Sequence, residues 1–454
     1  MSSSSLLVVV LAAGMGTRMK SAHPKVMHAI AGKSMVGHVM DLGKDLGAQK
    51  CAVVIGPEME ALESLVLAHK TDAQIYIQKD RLGTAHAVLQ ARQALEGHEG
   101  KVLVLYGDTP LLTKAALQGL LDQLDQGASV GVLGFDTPDP SGYGRLLLDE
   151  DGALLAIRED KDASETERTV TFCNSGVMGF QGPTMLSLLD KIGNDNANEE
   201  YYLTDAVELA RQAGLKTIAS ICPQEDVLGV NDRVQLAEAE QIFQTRRRKQ
   251  AQQDGATLIA PETVFFSHDT KIGRDVIIEP NVVFGPNVTV NDGAHIYSFC
   301  HLEGASIEEG ALIGPYARLR PGADVGPGAK IGNFVEVKKA TIQEGAKVNH
   351  LTYIGDADVG KGANIGAGTI TCNYDGYFKH KTVIGAESFV GSNSSLIAPV
   401  TIGEGAYVGS GSIISEDVEP DALAITRPER RSFPRWAARY RQTQKRKKEA
   451  KNTS

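Results

Sequence analysis

The sequence predicts two consecutive domains of different fold class, a doubly wound α/β domain followed by a parallel β-solenoid. Between residue 6 and about residue 225, short apolar runs alternate with helical stretches, a pattern typical of a parallel sheet covered by helices on both faces. From residue 272 to residue 414, an aliphatic or aromatic residue recurs at nearly every sixth position.

The six-residue repeat fits neither an α-helix nor a simple hairpin. It fits a triangular solenoid in which each side contributes one inward residue and three sides make a coil of about eighteen residues. A glycine-rich disordered tract is the alternative, and the persistence of the register argues against it. The long flat faces of a solenoid favour sideways association. With three one-residue slips and an interruption at 366–383, the predicted inward residues are Ile272, Ile278, Phe284, Val290, Ile296, Leu302, Ile307, Ile313, Leu319, Val325, Ile331, Val337, Ile342, Val348, Ile354, Val359, Ile365, Ile384, Val390, Leu396, Ile402, Val408 and Ile414.

Composition and charge argue against several functional classes. The 454 residues carry a formal net charge of −10, which does not suggest a nucleic-acid binder. No apolar run approaches the length of a membrane span, and the run at 6–13 lacks the basic flank of a signal peptide. The five cysteines have no paired spacing, which argues against a zinc site or a disulfide framework and favours a reducing compartment. We therefore expect a cytoplasmic protein.

Two basic segments depart from this acidic balance. The end of the chain, 428–454, holds ten Lys or Arg against two Glu, together with the single tryptophan, Trp436. Such an end is usually a solvated tail, and binding of a polyanionic ligand is the alternative. The cluster at 246–249 lies near the end of a helix predicted from Asn231 to about Gln253. Cations suit the negative end of a helix dipole, so we interpret this cluster as structural.

The first predicted strand leads into a candidate phosphate-binding loop. The apolar run 6–11 fits a buried parallel strand, and it is followed by Gly14 and Gly16. Glycines let backbone N–H groups approach phosphates, a helix beginning after the loop would add a favourable dipole, and Arg18 and Lys25 supply positive charge. The loop is neither a dinucleotide fingerprint nor a Walker loop. A tight turn without a ligand is the alternative for Gly-x-Gly alone.

Two polar residues suggest a magnesium site. Asp108 follows the predicted strand 101–106, and the strands predicted at 51–55 and 74–78 should end at the same edge of the sheet. Mg²⁺ favours a few hard protein oxygens and leaves its other positions to phosphates and water, and Asn231 could supply a second oxygen. The alternative for each residue is that it caps the helix that follows it. Polar groups at 142–145, Glu159 and Asn174 would then bind sugar and ribose hydroxyls.

Polar residues also interrupt the solenoid pattern. Arg320 and Lys338 are eighteen residues apart, so they should stack in adjacent coils and offer two cations to one anion, such as a sugar phosphate. Either residue alone would pass for an ordinary surface cation. His350 follows close by in the sequence and is a candidate general base.

These motifs resemble known families. The string at 11–19, Leu-Ala-Ala-Gly-x-Gly-Thr-Arg-Met, followed by Pro24 and Lys25, resembles the signature of sugar-phosphate nucleotidyltransferases. Over its whole length, the chain resembles the bacterial bifunctional enzymes N-acetylglucosamine-1-phosphate uridylyltransferase/glucosamine-1-phosphate N-acetyltransferase. The resemblance implies a Rossmann-like domain followed by a left-handed parallel β-helix of hexapeptide repeats. It also implies a homotrimer that acetylates glucosamine 1-phosphate with acetyl-CoA and then transfers a uridylyl group from UTP to N-acetylglucosamine 1-phosphate, with Mg²⁺.

The resemblance also assigns residues of the first site. Asp108 and Asn231 would hold the metal. Arg81 stands where relatives can carry Gln, which leaves open a side-chain amide contact to the base and how strictly UTP is chosen. The residues implied to bind UTP or UDP-N-acetylglucosamine are Leu11, Ala12, Ala13, Gly14, Arg18, Lys25, Gln78, Gly83, Thr84, Tyr106, Gly107, Asp108, Gly144, Glu159, Asn174 and Asn231.

For the second site, the resemblance implies that His350 is the base that takes a proton from the amine of glucosamine 1-phosphate. The interruption at 366–383 would project as a loop and contribute to the site of a neighbouring subunit. The implied amino-sugar phosphate site comprises Arg320, Lys338, Tyr353 and Asn364, and the implied acetyl-CoA path comprises Asn373, Tyr374, Lys379, Ser392, Ser410 and Arg427. Tyr353, Asn364, Asn373 and Tyr374 are further implied to contact the amino sugar or to orient His350.

We expect a nucleotidyltransferase domain at 1–229, a linker helix at 230–254, an acetyltransferase β-helix at 255–427 and a basic tail at 428–454. Two other functions remain open at the level of sequence. The solenoid could serve only for oligomerisation and regulation, or the chain could be a non-enzymatic sugar-nucleotide sensor. A purely structural solenoid has no need of Arg320, Lys338, His350 and Asn373, and a sensor has little need of the pair Asp108 and Asn231.

Overall fold

A computed structural model of the protein describes residues 5–69 and 73–452. The chain forms two compact units. The first extends to Gln253 and includes Phe265–Thr270, and the second comprises Asp254–Val264 and the chain from Lys271 onward. In the described part of the chain, no helix has the length and apolarity that crossing a membrane requires.

The first unit contains eleven strands and eight α-helices among its described residues. The strands are β1 (Leu6–Ala12), β2 (Ala29–Ile30), β3 (Lys33–Ser34), β4 (Lys50–Ile55), β5 (Ala73–Ile77), β6 (Lys101–Tyr106), β7 (Val130–Asp136), β8 (Arg145–Leu148), β9 (Leu154–Arg158), β10 (Phe172–Gln181) and β11 (Thr217–Ile221). The helices are α1 (Met35–Asp45), α2 (Glu60–Ala68), α3 (Thr84–Gln90), α4 (Arg92–Leu95), α5 (Lys114–Asp125), α6 (Gly182–Leu189), α7 (Ala206–Gln212) and α8 (Arg233–Gln253).

The central sheet has the strand order β11-β7-β10-β6-β1-β4-β5. The predicted parallel strands β1, β4, β5 and β6 are confirmed as parallel neighbours. One feature was not predicted, since β10 runs antiparallel to both β6 and β7 and also pairs with the β8–β9 hairpin. The carboxyl ends of β1, β5 and β6 therefore meet at one edge, where ligands bind in open α/β sheets.

Strand β1 shows why this sheet is doubly covered. Its residues alternate between two hydrophobic cores, with Leu6, Val8 and Val10 in one and Leu7 and Val9 in the other. Successive side chains of a strand point to opposite faces, so a run that is apolar at every position requires helices on both sides.

Helix α8 confirms the predicted helix, with a beginning two residues later than expected. Its first turn is capped by Asp232, whose Oδ1 accepts hydrogen bonds from the backbone of Val234 and Gln235 at 2.9 Å. The side chain of Asn231 is thus left for another role. The helix ends at Gln253, as predicted, and the contacts of Arg246 agree with the interpretation of the cluster at 246–249 as structural. Arg246 donates to Asp226 at 2.8 Å and to the carbonyl oxygen of Leu111 at 2.9 Å.

The second unit is a parallel solenoid with three faces. Strands β24 and β26 each continue around one corner and so belong to two faces. Its strands are β12 (Thr257–Leu258), β13 (Lys271–Ile272), β14 (Ile277–Ile278), β15 (Val283–Phe284), β16 (Thr289–Val290), β17 (His295–Ile296), β18 (His301–Leu302), β19 (Ala305–Ile307), β20 (Leu312–Ile313), β21 (Arg318–Leu319), β22 (Ala323–Val325), β23 (Lys330–Asn333), β24 (Glu336–Ile342), β25 (Lys347–His350), β26 (Tyr353–Val359), β27 (Asn364–Ile365), β28 (Ile370–Cys372), β29 (Thr382–Ile384), β30 (Phe389–Val390), β31 (Ser395–Ile397), β32 (Val400–Ile402), β33 (Tyr407–Val408), β34 (Ile413–Ile414) and β35 (Leu423–Ala424).

The predicted inward residues form the solenoid core. All of them except the half-buried Ile272 are at most 3% exposed. Coils of eighteen residues pair Ile272 with Val290, and each one-residue slip shortens the coil to seventeen, as where Val290 pairs with Ile307. The slips therefore change the coil length without breaking the stack, because each coil packs only against its neighbours.

The interruption is shorter than predicted. Residues 370–372 form β28, which continues the stack, and only 373–381 leave it as a projecting loop before β29. The apolar pattern missed β28 because its inward residue is Thr371, which is 1% exposed and accepts a hydrogen bond from the backbone of Gly355. The predicted turn at Asp375-Gly376 is present, and Asp375 Oδ1 accepts from the backbone of Phe378 at 2.7 Å.

The basic tail contains one helix, α9 (Trp436–Asn452). Trp436 and Tyr440 stack with their ring centroids 5.1 Å apart, and both rings are about half exposed. As expected of a solvated tail, the charged side chains of this helix between Arg439 and Glu449 are exposed.

Candidate active sites of the two units

The first unit holds a cavity of about 250 Å³ at the carboxyl ends of β1, β5 and β6. It brings together most of the residues predicted to contact the nucleotide. The lining residues are Leu11, Ala12, Ala13, Gly14, Lys25, Val26, Gln78, Arg81, Gly83, Thr84, Ala87, Tyr106, Asp108 and Glu200. The cavity is therefore the candidate nucleotide pocket, although Glu200 was not predicted from the sequence.

The backbone fixes the wall of this pocket at Gly83. The residue has φ of +118°, and a Cβ there would collide with the backbone of Tyr201. The chain passes so closely because Tyr201 donates to the carbonyl oxygen of Leu82 at 2.8 Å and accepts from the backbone of Ala85 at 2.9 Å. Only glycine fits this place. The buried side chain of Gln78 in turn donates to the carbonyl oxygen of Gly83 at 3.2 Å.

Lys25, Asp108 and Asn231 converge at one end of the pocket. Lys25 Nζ forms an ion pair with Asp108 Oδ2 and donates to Asn231 Oδ1 at 2.9 Å. Asp108 caps no helix, because α5 begins at Lys114 with Thr113 as its cap. Two hard oxygens from distant parts of the chain thus face the same positive group.

This donor set fits a magnesium ion. The ammonium of Lys25 contacts the side-chain oxygens of Asp108 and Asn231, which shows that these two oxygens favour a cation between them. Phosphate and water normally take the remaining coordination positions of a Mg²⁺ ion. Among the described residues, no group of three or more His, Cys, Asp or Glu side chains is arranged to hold a metal. A site built from one carboxylate and one amide needs no such group.

A second cavity of about 460 Å³ adjoins the nucleotide pocket and shares Thr84, Tyr106 and Glu200 with it. It contains the residues predicted to bind sugar hydroxyls, Gly144, Glu159 and Asn174. Burial raises the pKa of Glu159 above its ordinary value. A hydrogen bond that Thr204 donates at 3.2 Å lowers this pKa, but by less than burial raises it. The backbone N–H of Asn174 donates to the carbonyl oxygen of Gly144 at 2.7 Å, which joins two walls of this cavity.

Tyr106 lines both cavities. Burial, reinforced by the charges of Glu159 and Asp108, raises the pKa of its hydroxyl, so the group remains a neutral donor and acceptor. Gly176 has φ of +88°, and a Cβ there would lie 2.8 Å from the Tyr106 ring. Gly107, which follows Tyr106 in the chain, is buried and donates its N–H to the carbonyl oxygen of Leu11 at 2.9 Å. This hydrogen bond ties the end of β6 to the segment that leads into the glycine loop.

The glycine loop differs from the prediction in one respect. It is followed by two 3-10 turns, Thr17–Met19 and Lys25–Met27, and the first α-helix begins only at Met35. A helix dipole directly behind the loop is thus absent from this described segment, and positive charge must come from side chains. Arg18 is exposed on the first of these turns and does not line the nucleotide cavity, whereas Lys25 does.

In the second unit, Arg320, Lys338 and Lys379 form a cluster of cations. Arg320 and Lys338 lie in adjacent coils, since the backbone of Arg320 donates to the carbonyl oxygen of Val337 at 2.9 Å. The pKa of Lys338 is lowered, chiefly by the charge of Lys379 and then by that of Arg320. Arg320 also pairs with Glu336 at 2.7 Å. The predicted stacking is confirmed, and the projecting loop contributes the third cation.

His350 lies at a corner of the solenoid and is exposed. It stands in register with Asn333 one coil away, and its Nδ1 is hydrogen-bonded to Asn333 Oδ1. An amide oxygen only accepts, so this bond requires the proton on Nδ1 and leaves Nε2 as the bare acceptor. The sequence interpretation missed Asn333, although its distance of seventeen residues matches the shortened coil.

Asn373 contacts both Tyr353 and a residue that was also missed, Asp356. Asn373 is buried, and its Nδ2 donates to Asp356 Oδ2 at 2.5 Å and to the Tyr353 hydroxyl at 3.4 Å. Its carbonyl oxygen accepts from the backbone of His380 at 2.9 Å, which closes the base of the projecting loop. The next residue of the loop, Tyr374, is 59% exposed.

The remaining predicted residues are distributed along the solenoid. Ser392 and Ser410 stack in adjacent coils, because Val390 pairs with Val408 two residues earlier. Arg427 lies beside Gly409 and Gly411, next to Ser410. By the same register, His350, Ser392 and Ser410 share one corner of the stack, whereas Asn364 is in register with Lys347, three residues before that corner.

Comparison with known proteins identifies both parts of the chain. Residues 8–169 match the MobA-like NTP transferase domain, and 269–304, 304–339 and 381–416 match the bacterial transferase hexapeptide repeat. The matched repeats, like the three faces described above, fit the expected left-handed β-helix. The stretch between the last two matches contains His350 and the projecting loop.

Curated relatives match nearly the whole chain. A protein of Azorhizobium caulinodans is 58% identical over 441 residues, which cover 97% of this chain and 98% of the relative. A protein of Agrobacterium fabrum is 54% identical with 99% of each chain covered, and one of Paramagnetospirillum magneticum is 53% identical over the full length of both. Each of the three is named bifunctional protein GlmU.

Proposed function

The chain belongs to the family of bifunctional GlmU proteins, and from this premise we propose how its two units divide the work. It is an enzyme with nucleotidyltransferase and acyltransferase activity, as its two kinds of domain indicate. In our proposal, the solenoid acetylates glucosamine 1-phosphate with acetyl-CoA. The first unit then transfers a uridylyl group from UTP to the resulting N-acetylglucosamine 1-phosphate.

The observation that carries the uridylyl assignment is the convergence of Lys25, Asp108 and Asn231 beside two adjoining cavities. A phosphate oxygen of the sugar in the larger cavity attacks the α-phosphorus of UTP in the smaller one, and pyrophosphate leaves. No protein nucleophile is required, so the residues act by positioning and by charge. Asp108 and Asn231 would hold Mg²⁺, which offsets negative charge on the phosphates when bound. Lys25 then transfers its contacts to the phosphates.

The acetyl assignment rests on the neighbourhood of His350. The amine nitrogen of glucosamine 1-phosphate attacks the thioester carbonyl of acetyl-CoA, an amide bond forms, and the carbon–sulfur bond breaks. His350 Nε2 takes the proton that the amine loses and can return it to the departing thiolate. Asn333 holds the ring in the required tautomer, and the cations Arg320 and Lys338 hold the sugar phosphate. Lys379, which the resemblance placed on the acetyl-CoA path, is assigned here to the same phosphate because its charge acts on Lys338.

Several further assignments belong to the same proposal. Asn373 and Tyr374 would contact acetyl-CoA together with Ser392, Ser410 and Arg427, and Tyr353 and Asn364 would contact the amino sugar. The exposed projecting loop suits a homotrimer in which one subunit completes the site of its neighbour. Because UTP and acetyl-CoA are made inside the cell, we place the enzyme in the cytoplasm. A solenoid used only as a scaffold would leave the three cations and the pair of His350 and Asn333 without a purpose.

Two variants of the full chain test the division of labour. Asp108→Ala should lose uridylyl transfer, measured by the release of pyrophosphate. It should keep acetyl transfer, measured by the release of thiol from acetyl-CoA. His350→Ala should show the reverse, so each variant serves as the folding control for the other. Near-normal uridylyl transfer in Asp108→Ala would refute the metal assignment. If the wild-type protein shows no acetyl transfer, the solenoid has only a structural role and the protein is a uridylyltransferase alone.

A further inference from the structure

Asp356 fixes the orientation of the side-chain amide of Asn373. Asn373 lies directly after β28, where the projecting loop leaves the stack, and it is buried. Its Nδ2 donates to Asp356 Oδ2 at 2.5 Å and to the Tyr353 hydroxyl at 3.4 Å. A carboxylate offers acceptors only, so the nitrogen of the amide must face Asp356. The amide oxygen is thereby directed away from this carboxylate.

The side chain of Tyr353 lies across Gly355, two residues further along β26. A Cβ built on Gly355 would collide with the Tyr353 hydroxyl, so the strand accommodates the ring only because a glycine stands there. Gly355 is in register with Lys338 one coil away, and neighbouring strands of a sheet are less than about 5 Å apart. The hydroxyl therefore lies beside the cations that we assign to the sugar phosphate.

The hydrogen bond from Asn373 determines what the Tyr353 hydroxyl can do. The hydroxyl accepts from Asn373, and among the described residues it has no acceptor for its own proton. That proton is available to a ligand beside the cations. If the amide of Asn373 were turned over, its oxygen would face Tyr353, and the hydroxyl would donate to that oxygen instead. Asp356 thus decides whether Tyr353 can donate a hydrogen bond to a ligand.

We propose that Asp356 is a positioning residue of the acetyl-transfer site, which orients Asn373 so that the Tyr353 hydroxyl donates to the phosphate of glucosamine 1-phosphate. The charge of Asp356 cannot serve this purpose directly. Asp356 lines a cavity of about 290 Å³ together with Lys379, and a carboxylate so near an anion site weakens phosphate binding by its charge. The proposal rests on the proposed acetyl transfer and deepens it.

The test measures KM for glucosamine 1-phosphate at saturating acetyl-CoA, from the release of thiol. Asp356→Gly removes the carboxylate and suits the φ of +46° at this corner. It should raise KM about two- to tenfold, the effect of losing one hydrogen bond, with little change in kcat. Asp356→Asn keeps an acceptor oxygen, so its KM should stay within about twofold of that of the wild type. Asp356→Ala repeats the truncation if the glycine variant is unstable.

Two further variants separate positioning from charge and from structural support. Asp358→Ala is the matched control, because it removes another carboxylate of β26 that lines the same cavity and pairs with Lys381 at 2.5 Å. It should leave KM unchanged or lower it. Tyr353→Phe should raise KM by about the same factor as Asp356→Gly. Adding Asp356→Gly to Tyr353→Phe should have no further effect, because the donor that Asp356 positions is already lost.

The outcomes also distinguish this proposal from the one on which it rests. A KM that is unchanged or lower in Asp356→Gly, or effects of Asp356→Gly and Tyr353→Phe that multiply in the double variant, would overturn the positioning role. If the wild type transfers no acetyl group while its uridylyl transfer is normal, the proposed function of the second unit fails instead. Thermal unfolding of each variant shows whether the solenoid is folded.

Discussion

Replacing Asn333 by aspartate should move the acidic limb of the pH profile of acetyl transfer to higher pH. In the structure, Asn333 Oδ1 is hydrogen-bonded to Nδ1 of His350. A carboxylate in the same place keeps the hydrogen bond and adds a negative charge, which stabilises the protonated imidazole. His350 would then remain protonated, and inactive as a base, up to a higher pH.

The size of the shift follows from the exposure of the pair. Two unit charges about 4 Å apart interact by about 1 kcal/mol in water, and His350 is exposed, so screening leaves about 0.5–1 kcal/mol. This corresponds to a rise of about 0.4–0.7 in the midpoint of the acidic limb. Asn333→Ala should instead lower kcat about two- to tenfold at the pH optimum, the effect of losing a hydrogen bond that contributes roughly 0.5–1.5 kcal/mol, with little change in KM for acetyl-CoA.

The assay follows thiol release from acetyl-CoA at saturating glucosamine 1-phosphate between pH 5.5 and pH 9. Asn281→Asp is the matched control, because it adds the same charge at another exposed asparagine of the solenoid. Equal acidic midpoints for Asn333→Asp and Asn281→Asp would refute the inference that Asn333 positions the base. Uridylyl transfer should be normal in all of these variants.

Three other perturbations have definite expected results. Lys379→Met should raise KM for glucosamine 1-phosphate and make this KM less sensitive to salt, because one of the three positive charges, the one that lowers the pKa of Lys338, would be removed. An unchanged KM in steady-state assays would argue against a shared phosphate site. Ile331→Ala should destabilise the second unit by about 2–5 kcal/mol in calorimetry, because the side chain is fully buried, whereas Leu351→Ala, at a position 63% exposed, should cost less than about 0.5 kcal/mol. Burial, helped by nearby carboxylates, raises the pKa of Asp205 to about 6, so its ionisation opposes folding and stability should fall between about pH 4 and pH 6. Asp205→Asn should therefore raise the free energy of unfolding at pH 8 by roughly 1–2 kcal/mol, after allowance for partial exposure, but not at pH 4. An equal gain at both pH values in thermal unfolding would exclude this explanation.

The sequence by itself determined the core of the solenoid. Inward positions such as Ile313, Ile331 and Val348 follow from the six-residue period alone, because each coil packs only on its neighbours and an inward position must be apolar wherever the chain passes it. The same period missed Thr371, which occupies an inward position but satisfies its hydroxyl with hydrogen bonds inside the stack. The parallel strands of the first unit were predictable for a similar reason, since an unbroken apolar run can only be buried on both faces.

Polar partnerships were decided by the tertiary structure. Asn231 reaches Lys25 across 206 positions of sequence, and nothing in the local pattern of either residue specifies the other. Asn333 meets His350 only because this coil has seventeen residues, and Lys379 approaches Lys338 only because of the path of the projecting loop. A buried apolar side chain can pack against any apolar surroundings, whereas a hydrogen bond or an ion pair requires one particular partner atom within about 3 Å. The register of coils and the course of loops, which place that atom, exist only in the folded chain.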